Sequence, residues 1–412
     1  MYTTRRSRVI SAGTLLALAA TLVPADANAI PAFARRFKTT CATCHAPFPR
    51  LTPFGEQFAG AGFAMPGMPP TDTIATGDPQ LLLMRDIPLA VRLDAYVQAQ
   101  SRARNGRVVA DLQTPWLIKL LSGGEVADDI SYYFYFFLGE RGEVAGLEDA
   151  YVQFTDIGGS GVSVIAGQFQ VSDPLFKREL RLEYEDYQPY RFRVGDARAD
   201  LTYDRGFLAF FSPREGMDVA LQVVNGVGLT EAGDARQYDI DDPKSFAARV
   251  SQDVGPLRLG GFVYAGREEH GDIDNDILYF GPDATLTLGT KAELNLQYLR
   301  RRDDNPFFTA APPDDETTVD AAFAELLLFP SGPMGRTTVT ALFNWVDADA
   351  PVFRIGGVGL PDDPSGGLLS EYQYGALGLQ FLHRRNVRFI GEVGWDFSAE
   401  RARFVTGVVT AF

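Results

Sequence analysis

The stretch Leu89-Ala90-Val91-Arg92-Leu93-Asp94-Ala95-Tyr96-Val97-Gln98-Ala99-Gln100 decides the fold. Leu89, Val91, Leu93, Ala95, Val97 and Ala99 alternate with Arg92, Asp94, Tyr96, Gln98 and Gln100, a period of two that gives a strand one apolar and one strongly polar face. The same period recurs along the chain. Ala292, Leu294, Leu296 and Tyr298 alternate with Lys291, Glu293, Asn295 and Gln297; Val387, Phe389, Val393, Trp395 and Phe397 alternate with Arg388, Glu392 and Asp396.

A soluble sandwich would also alternate in this way, so the connections decide between the two. Tight turns at Pro213-Arg214-Glu215-Gly216, Val254-Gly255-Pro256, Ser331-Gly332-Pro333 and Arg384-Arg385-Asn386 take turns with long polar loops. The loops run from Gly228 to Lys244, Arg301 to Thr317 and Asp347 to Glu371. Strict alternation puts all tight turns at one end and all long loops at the other, the layout of an outer-membrane barrel. Counting strands this way gives five before Gln170 and eleven from Gly206 to Phe412, roughly sixteen in all, with both termini at the tight-turn end. The expected fold class is therefore all-β, a closed antiparallel transmembrane barrel over residues 86–412, because open strand edges cannot sit in lipid. Phe412, with Phe404 and Val408 at even steps behind it, makes the terminal aromatic strand expected of such a barrel.

Upstream, residues 1–29 read as a secretory signal peptide. Arg5, Arg6 and Arg8 form its basic start, a Leu/Ala-rich run covers Thr14 to Val23, and Ala27-Asn28-Ala29 is its cleavage site. The formal charge of −15 becomes more negative when this segment leaves, which argues against nucleic acid as a partner. No later apolar run has the length of a membrane helix. Residues 64–85, rich in Pro and Gly, read as a linker.

Between leader and linker, residues 30–63 form a small α-helical module around Cys41-Ala42-Thr43-Cys44-His45. This is a C-x-x-C-H match, the pattern in which two thiols bond to a haem and the histidine ligates its iron. The chain has only these two cysteines. A redox Cys-x-x-Cys pair would sit in a βαβ pattern that is missing, and a zinc site would need partners the chain lacks. Thr52 is placed to cap a helix with Pro53 in its first position, and Phe54 and Phe58 share one face of it. So short a module cannot enclose a haem alone and needs another surface to bury against. The second axial ligand is not announced. Met65 and Met68 directly follow the module, Met334 and His383 fall in turns at the tight-turn end, and a site left open or filled by water is a further alternative.

Two other segments carry charge. Gln170 to Tyr203, the longest connection, mixes Lys177, Arg178, Arg181, Arg191, Arg193 and Arg198 with Glu179, Glu183, Glu185, Asp186 and Asp196. A solvated outer loop is its default reading; folded into the lumen it would narrow the pore and select ions. Glu268 to Asp276, including His270, reads as an acidic outer loop and does not match an EF-hand. No Ser/His/Asp or Cys/His catalytic set is present.

Ile30-Pro31-Ala32-Phe33-Ala34-Arg35-Arg36-Phe37, the Cys41 to His45 motif, and Leu51-Thr52-Pro53-Phe54-Gly55 with Gly62-Phe63 resemble the fused monohaem c-type cytochrome–porins of bacterial outer membranes. At Ala59-Gly60-Ala61-Gly62-Phe63 the chain departs from relatives that often carry basic or larger residues before a Gly-Tyr. The resemblance implies one covalent haem c on Cys41 and Cys44, with His45 as proximal iron ligand and the module inside the barrel toward the periplasm. It also implies electron transfer from an extracellular reductant such as Fe(II) to a periplasmic cytochrome, with ferrous-iron oxidation as the possible enzymatic activity. The alternative function is a diffusion porin or transporter with a structural or redox-sensing haem plug.

Overall fold

A computed structural model describes residues 32–65, 73–78, 80–81, 83–85, 87–101, 107–144, 146–311, 316–355, 367–384 and 386–412. The leader and Met68 lie outside the described residues. Sixteen antiparallel strands close into one barrel. Five precede the longest connection: β1 (Leu89–Ser101), β2 (Val108–Ala127), β3 (Ile130–Glu140), β4 (Gly146–Phe154) and β5 (Ser163–Gln170). The next six are β6 (Tyr203–Arg214), β7 (Met217–Val224), β8 (Ser245–Val254), β9 (Leu257–His270), β10 (Ile273–Leu288) and β11 (Ala292–Asp303). The last five are β12 (Thr317–Leu328), β13 (Thr337–Ala348), β14 (Glu371–Arg384), β15 (Val387–Asp396) and β16 (Arg401–Ala411). Each pairs with its neighbour in sequence, and β16 pairs with β1 in a register that sets Thr410 opposite Leu93. At the seam Val91 N donates to the Phe412 carbonyl at 2.7 Å and Phe412 N returns the bond at 2.8 Å. Closure leaves no edge strand, so the ladder satisfies its own backbone.

The alternation read from Leu89 to Gln100 takes the expected sides. Asp94 and Tyr96 are buried inside, while Leu89 and Val97 stay exposed outside. Outward residues such as Leu259, Leu296, Phe343, Leu377, Val393 and Trp395 form the apolar belt. Inward polar residues pair with one another, as where Arg249 donates from Nε and Nη2 to the Asp283 carboxylate at 3.0 and 2.5 Å. Among the described residues no helix is long and apolar enough to cross a membrane; the strands do the crossing.

Strict alternation of short and long connections does not hold. The end where β1 begins and β16 finishes has short turns at 128–129, 215–216 and 255–256, but its connections 155–162 and 329–336 are longer. At the opposite end, 271–272 and 397–400 are tight. The segment Glu268 to Asp276 is therefore no loop. Glu268 faces Asn275 and His270 faces Ile273 in the β9–β10 ladder, which continues to a two-residue turn because its residues keep pairing beyond the apolar belt. Among the described residues no His, Cys, Asp and Glu cluster there or elsewhere as a metal cage.

The module supplies three short helices, α1 (Ala32–Phe37), α2 (Cys41–Cys44) and α3 (Pro53–Gly60). They fill the lumen at the tight-turn end. Arg36 pairs with Glu125 near the end of β2 at 3.3 Å, Arg50 pairs with Glu293 at the start of β11, and Gln153 on β4 donates to the Gly60 carbonyl at 2.7 Å. Thr73–Ile74 pairs with Leu83–Met84 in the connection to β1.

Leu377, mid-strand on β14 and facing out between Ala341 and Val393, tests the lipid-facing assignment. Leu377→Arg is expected to cost about 2–4 kcal/mol, measured as reversible unfolding from bilayers. A change near zero would mean that this face is not in lipid.

Candidate functional site

The α2 turn is held by the helix that follows it. Thr52 Oγ1 donates to the Thr43 carbonyl at 2.8 Å and accepts from Gly55 N at 3.1 Å, so one hydroxyl both caps α3 and ties it to α2. Thr52 N also donates to the Cys44 carbonyl at 2.8 Å. The two elements touch at Gly55, where a Cβ would lie 2.2 Å from the Cys44 carbonyl oxygen. Only glycine permits that approach.

After α2 the chain turns back and His45 bridges to Leu51. His45 Nδ1 lies 2.7 Å from the Pro49 carbonyl oxygen. A carbonyl only accepts, so Nδ1 carries the proton and Nε2 keeps a lone pair to offer a metal. Burial holds the imidazole below its usual pKa despite that backbone bond, which favours the neutral ligand form. Burial, with Cys41 beside it, pushes the Cys44 thiol up. A raised thiol is the reverse of what a reactive redox Cys-x-x-Cys pair requires.

Cys41, Cys44, His45 and Met65 line one cavity of about 260 Å³ between module and barrel. Its module wall is aromatic: Phe33 stacks on Phe63 at 5.0 Å, and Phe58 meets Phe37 edge-on at 5.5 Å. Phe54 stacks behind Phe58 but does not line the cavity. The barrel wall brings Tyr133 and Tyr135 from β3, Lys119 and Leu121 from β2, and Asp149 and Tyr151 from β4. Phe63 stacks on Tyr133 at 5.3 Å, so the two walls are continuous. A second cavity of about 240 Å³ adjoins Cys41, His45 and Phe48 on the side of β14 and β15, where Met334 also lies.

His383 is not brought to either cavity. It sits beside Phe381 and Phe389, with ring centroids 6.3 and 5.6 Å away, on the outward face. The inward positions on these strands are Gln380 and Arg388, and β14 slips its register between Leu382 and Arg384. Strand parity therefore turns His383 away from the lumen, which removes it as a distal ligand. His270, at the other end, stacks on Phe308 at 3.9 Å.

The connection after β5 is not a solvated loop. It folds into the lumen and is buried there, with Leu182, Tyr190, Phe192, Val194 and Leu201 almost inaccessible. Its organising group is Asp186, which accepts from Arg178 Nε at 3.0 Å and Nη2 at 2.5 Å and from Arg191 Nη1 at 3.1 Å, with Arg181 at 3.7 Å. Burial would raise the carboxyl pKa, but the three guanidiniums hold it well below the usual range. Tyr187 Oη donates to Glu325 at 2.6 Å, and Asn344 Nδ2 to the Asp186 carbonyl at 2.8 Å, fastening the segment to the far wall. Phe192–Val194 then pairs antiparallel with Phe353–Ile355 from the β13–β14 connection. The segment's Glu179 accepts from Lys119 at 2.8 Å, while the Lys119 ammonium lies 3.3 Å from the Tyr135 ring centroid. Lys119 had no signal in the sequence beyond its place as an inward strand residue.

Compared with solved structures, the chain has the fold of outer-membrane porins. It is similar to an anion-selective porin from Comamonas acidovorans (11% identity, 79% of this chain and 99% of that one, TM-score 0.56). A loop L8 deletion form of OmpT from Vibrio cholerae matches over 79% and 99% of the two chains (11% identity, TM-score 0.53). The outer-membrane channel DcaP of Acinetobacter baumannii matches over 79% and 97% (12% identity, TM-score 0.52). No family model matches the sequence, and no curated protein does.

Gly55→Ala is expected to push α3 off the Cys44 carbonyl and sharply lower the fraction of purified chains whose N-terminal module survives limited proteolysis. Gly60→Ala, where a Cβ meets open space, should leave that fraction unchanged. Asp186→Asn should release the inward segment and raise its rate of tryptic cleavage after Arg178, Arg181 and Arg191; unchanged protection would mean that the arginines are held some other way.

These contacts describe a barrel of the outer-membrane porin type whose lumen is occupied at the tight-turn end by the Cys41 to His45 module and farther along by an inward-folded segment.

Proposed function

We propose that the protein is an outer-membrane electron conduit in which Cys41 and Cys44 hold one c-type haem by thioether bonds and His45 is its proximal iron ligand. The observation that carries this reading is the meeting of both thiols and a His45 with an available Nε2 at one aromatic-walled cavity inside the barrel. Haem bound there would supply a one-electron Fe(III)/Fe(II) couple. The chain's own part is to bind, orient and shield. Thr52 and Gly55 set the α2 turn, the Pro49 carbonyl orients the imidazole, and Phe33, Phe37, Phe58 and Phe63 keep water from the macrocycle. Burial and axial ligation tune the potential. Met65 is the candidate for the distal position that shares this cavity.

In this reading the tight-turn end faces the periplasm, where an acceptor cytochrome takes the electron, and an extracellular reductant such as Fe(II) is the donor. The acidic chain favours the approach of cations. The filled lumen supports a conduit over an open pore, because Tyr187, Tyr190, Phe192 and Phe353 pack where a diffusion channel would hold water.

The alternative, a diffusion porin or transporter whose haem plug is structural or senses redox state, draws support from the likeness to a porin and an outer-membrane channel. A polar cavity of about 400 Å³, edged by Arg141, Glu185, Arg191 and Arg403, also favours it. Two measurements separate the readings. Ferrous iron added to oxidised protein should bring up the reduced haem absorbance, and planar bilayers should stay sealed. A large steady conductance with no haem reduction would leave the porin reading standing.

A further inference from the structure

Arg388, the second residue of β15, points into the lumen, where it is only 6% exposed. Its Nη1 donates to the Phe48 carbonyl at 3.1 Å and to Gln380 Oε1 at 2.8 Å. The Gln380 amide is itself fixed, because its Nε2 donates to the Leu182 carbonyl. Arg388 Nε has no hydrogen-bond partner. Among the described residues no carboxylate lies within ion-pair distance of this guanidinium. Its neighbour Arg92 is different: Nε and Nη2 bind Asp94 at 2.9 and 2.7 Å, and Tyr96 Oη donates to the same carboxylate at 2.9 Å. The Arg92 and Asp94 charges cancel, which leaves the Arg388 charge over. Glu183 faces the same chamber from the inward segment and makes no ion pair with it.

A buried cation without a counter-charge is strongly disfavoured, and a guanidinium with an idle Nε is shaped for a planar carboxylate. Arg388 lines the cavity that also holds Cys41, His45 and Phe48, and the Phe48 ring stands 5.1 Å from the His45 ring. We propose that Arg388 is a carboxylate-binding site and that its ligand is a propionate of the haem. This rests on the haem reading above. It makes Arg388 a positioning residue that would act through the macrocycle: its charge would offset that of the propionate, which favours the ferrous state and would hold the reduction potential up.

The test uses full-length protein with haem attached. In Arg388→Met and Arg388→Gln the midpoint potential should fall and the propionate bending mode in the resonance Raman spectrum should shift. Arg388→Lys, which keeps the charge but not the fork, should restore the potential in part and not the mode. Heat-modifiable migration of each variant reports whether the barrel has folded, and the Lys variant keeps the test open if the neutral ones fail to fold. Unchanged potential and mode in folded, haem-bearing variants would overturn the proposal. So would a wild-type potential that responds to added acetate, since the site would then be open to a free anion. Absence of covalent haem from the wild-type protein, read by its pyridine haemochrome, would instead overturn the haem reading on which the proposal stands.

Discussion

The closed backbone ladder is the constraint on which everything else depends. In a bilayer core each unpaired amide costs several kcal/mol, so a chain that crosses with strands must pair its last strand with its first. Phe412 and Val91 do this by exchanging both backbone bonds. Closure divides the side chains into two sets with opposite solvents. Outward residues meet lipid and have to be apolar; inward residues pack on what fills the lumen, and the polar ones among them have to find partners. The fully buried pair Arg301 and Asp303 shows the second demand met, with two bonds of 2.6 and 2.7 Å.

A lumen of sixteen strands is wide, and this one is filled from both directions. The module enters at the tight-turn end and is anchored through Arg36, Arg50 and Gly60 to three separate strands. The inward segment approaches from the other side, folded around Asp186. The two meet near Glu179, which lines the motif cavity and also bonds Lys119. The environment of the Cys41 to His45 turn is thus assembled from the module, the barrel wall and the inward segment together.

Much of this was legible in the residues. The division into five and eleven strands, the termini at one end, and the α3 cap at Thr52 with Pro53 at its first position all follow from local chemistry and period, and the structure agrees with each. Glu268 to Asp276 was misleading because charge marks solvent and not a loop; a hairpin that extends beyond the apolar belt is as acidic as a loop would be. His383 misled for another reason. Its proximity to a turn hid its parity, and parity placed it beside Phe381 and Phe389 on the outside.

The sequence by itself determined the period and the strand number, since the two faces of a strand depend on neighbours within a few residues. Tertiary structure alone decided what faces the motif. Lys119, Tyr133 and Asp149 come from the consecutive strands β2, β3 and β4 and Arg388 from β15 near the other end of the chain, and no local pattern separates them from other inward residues. It also decided that 171–202 is interior. The charges of that segment suit water or a paired lumen equally well, and only the positions of Glu325 and Asn344 on the far wall make the lumen the better solvent.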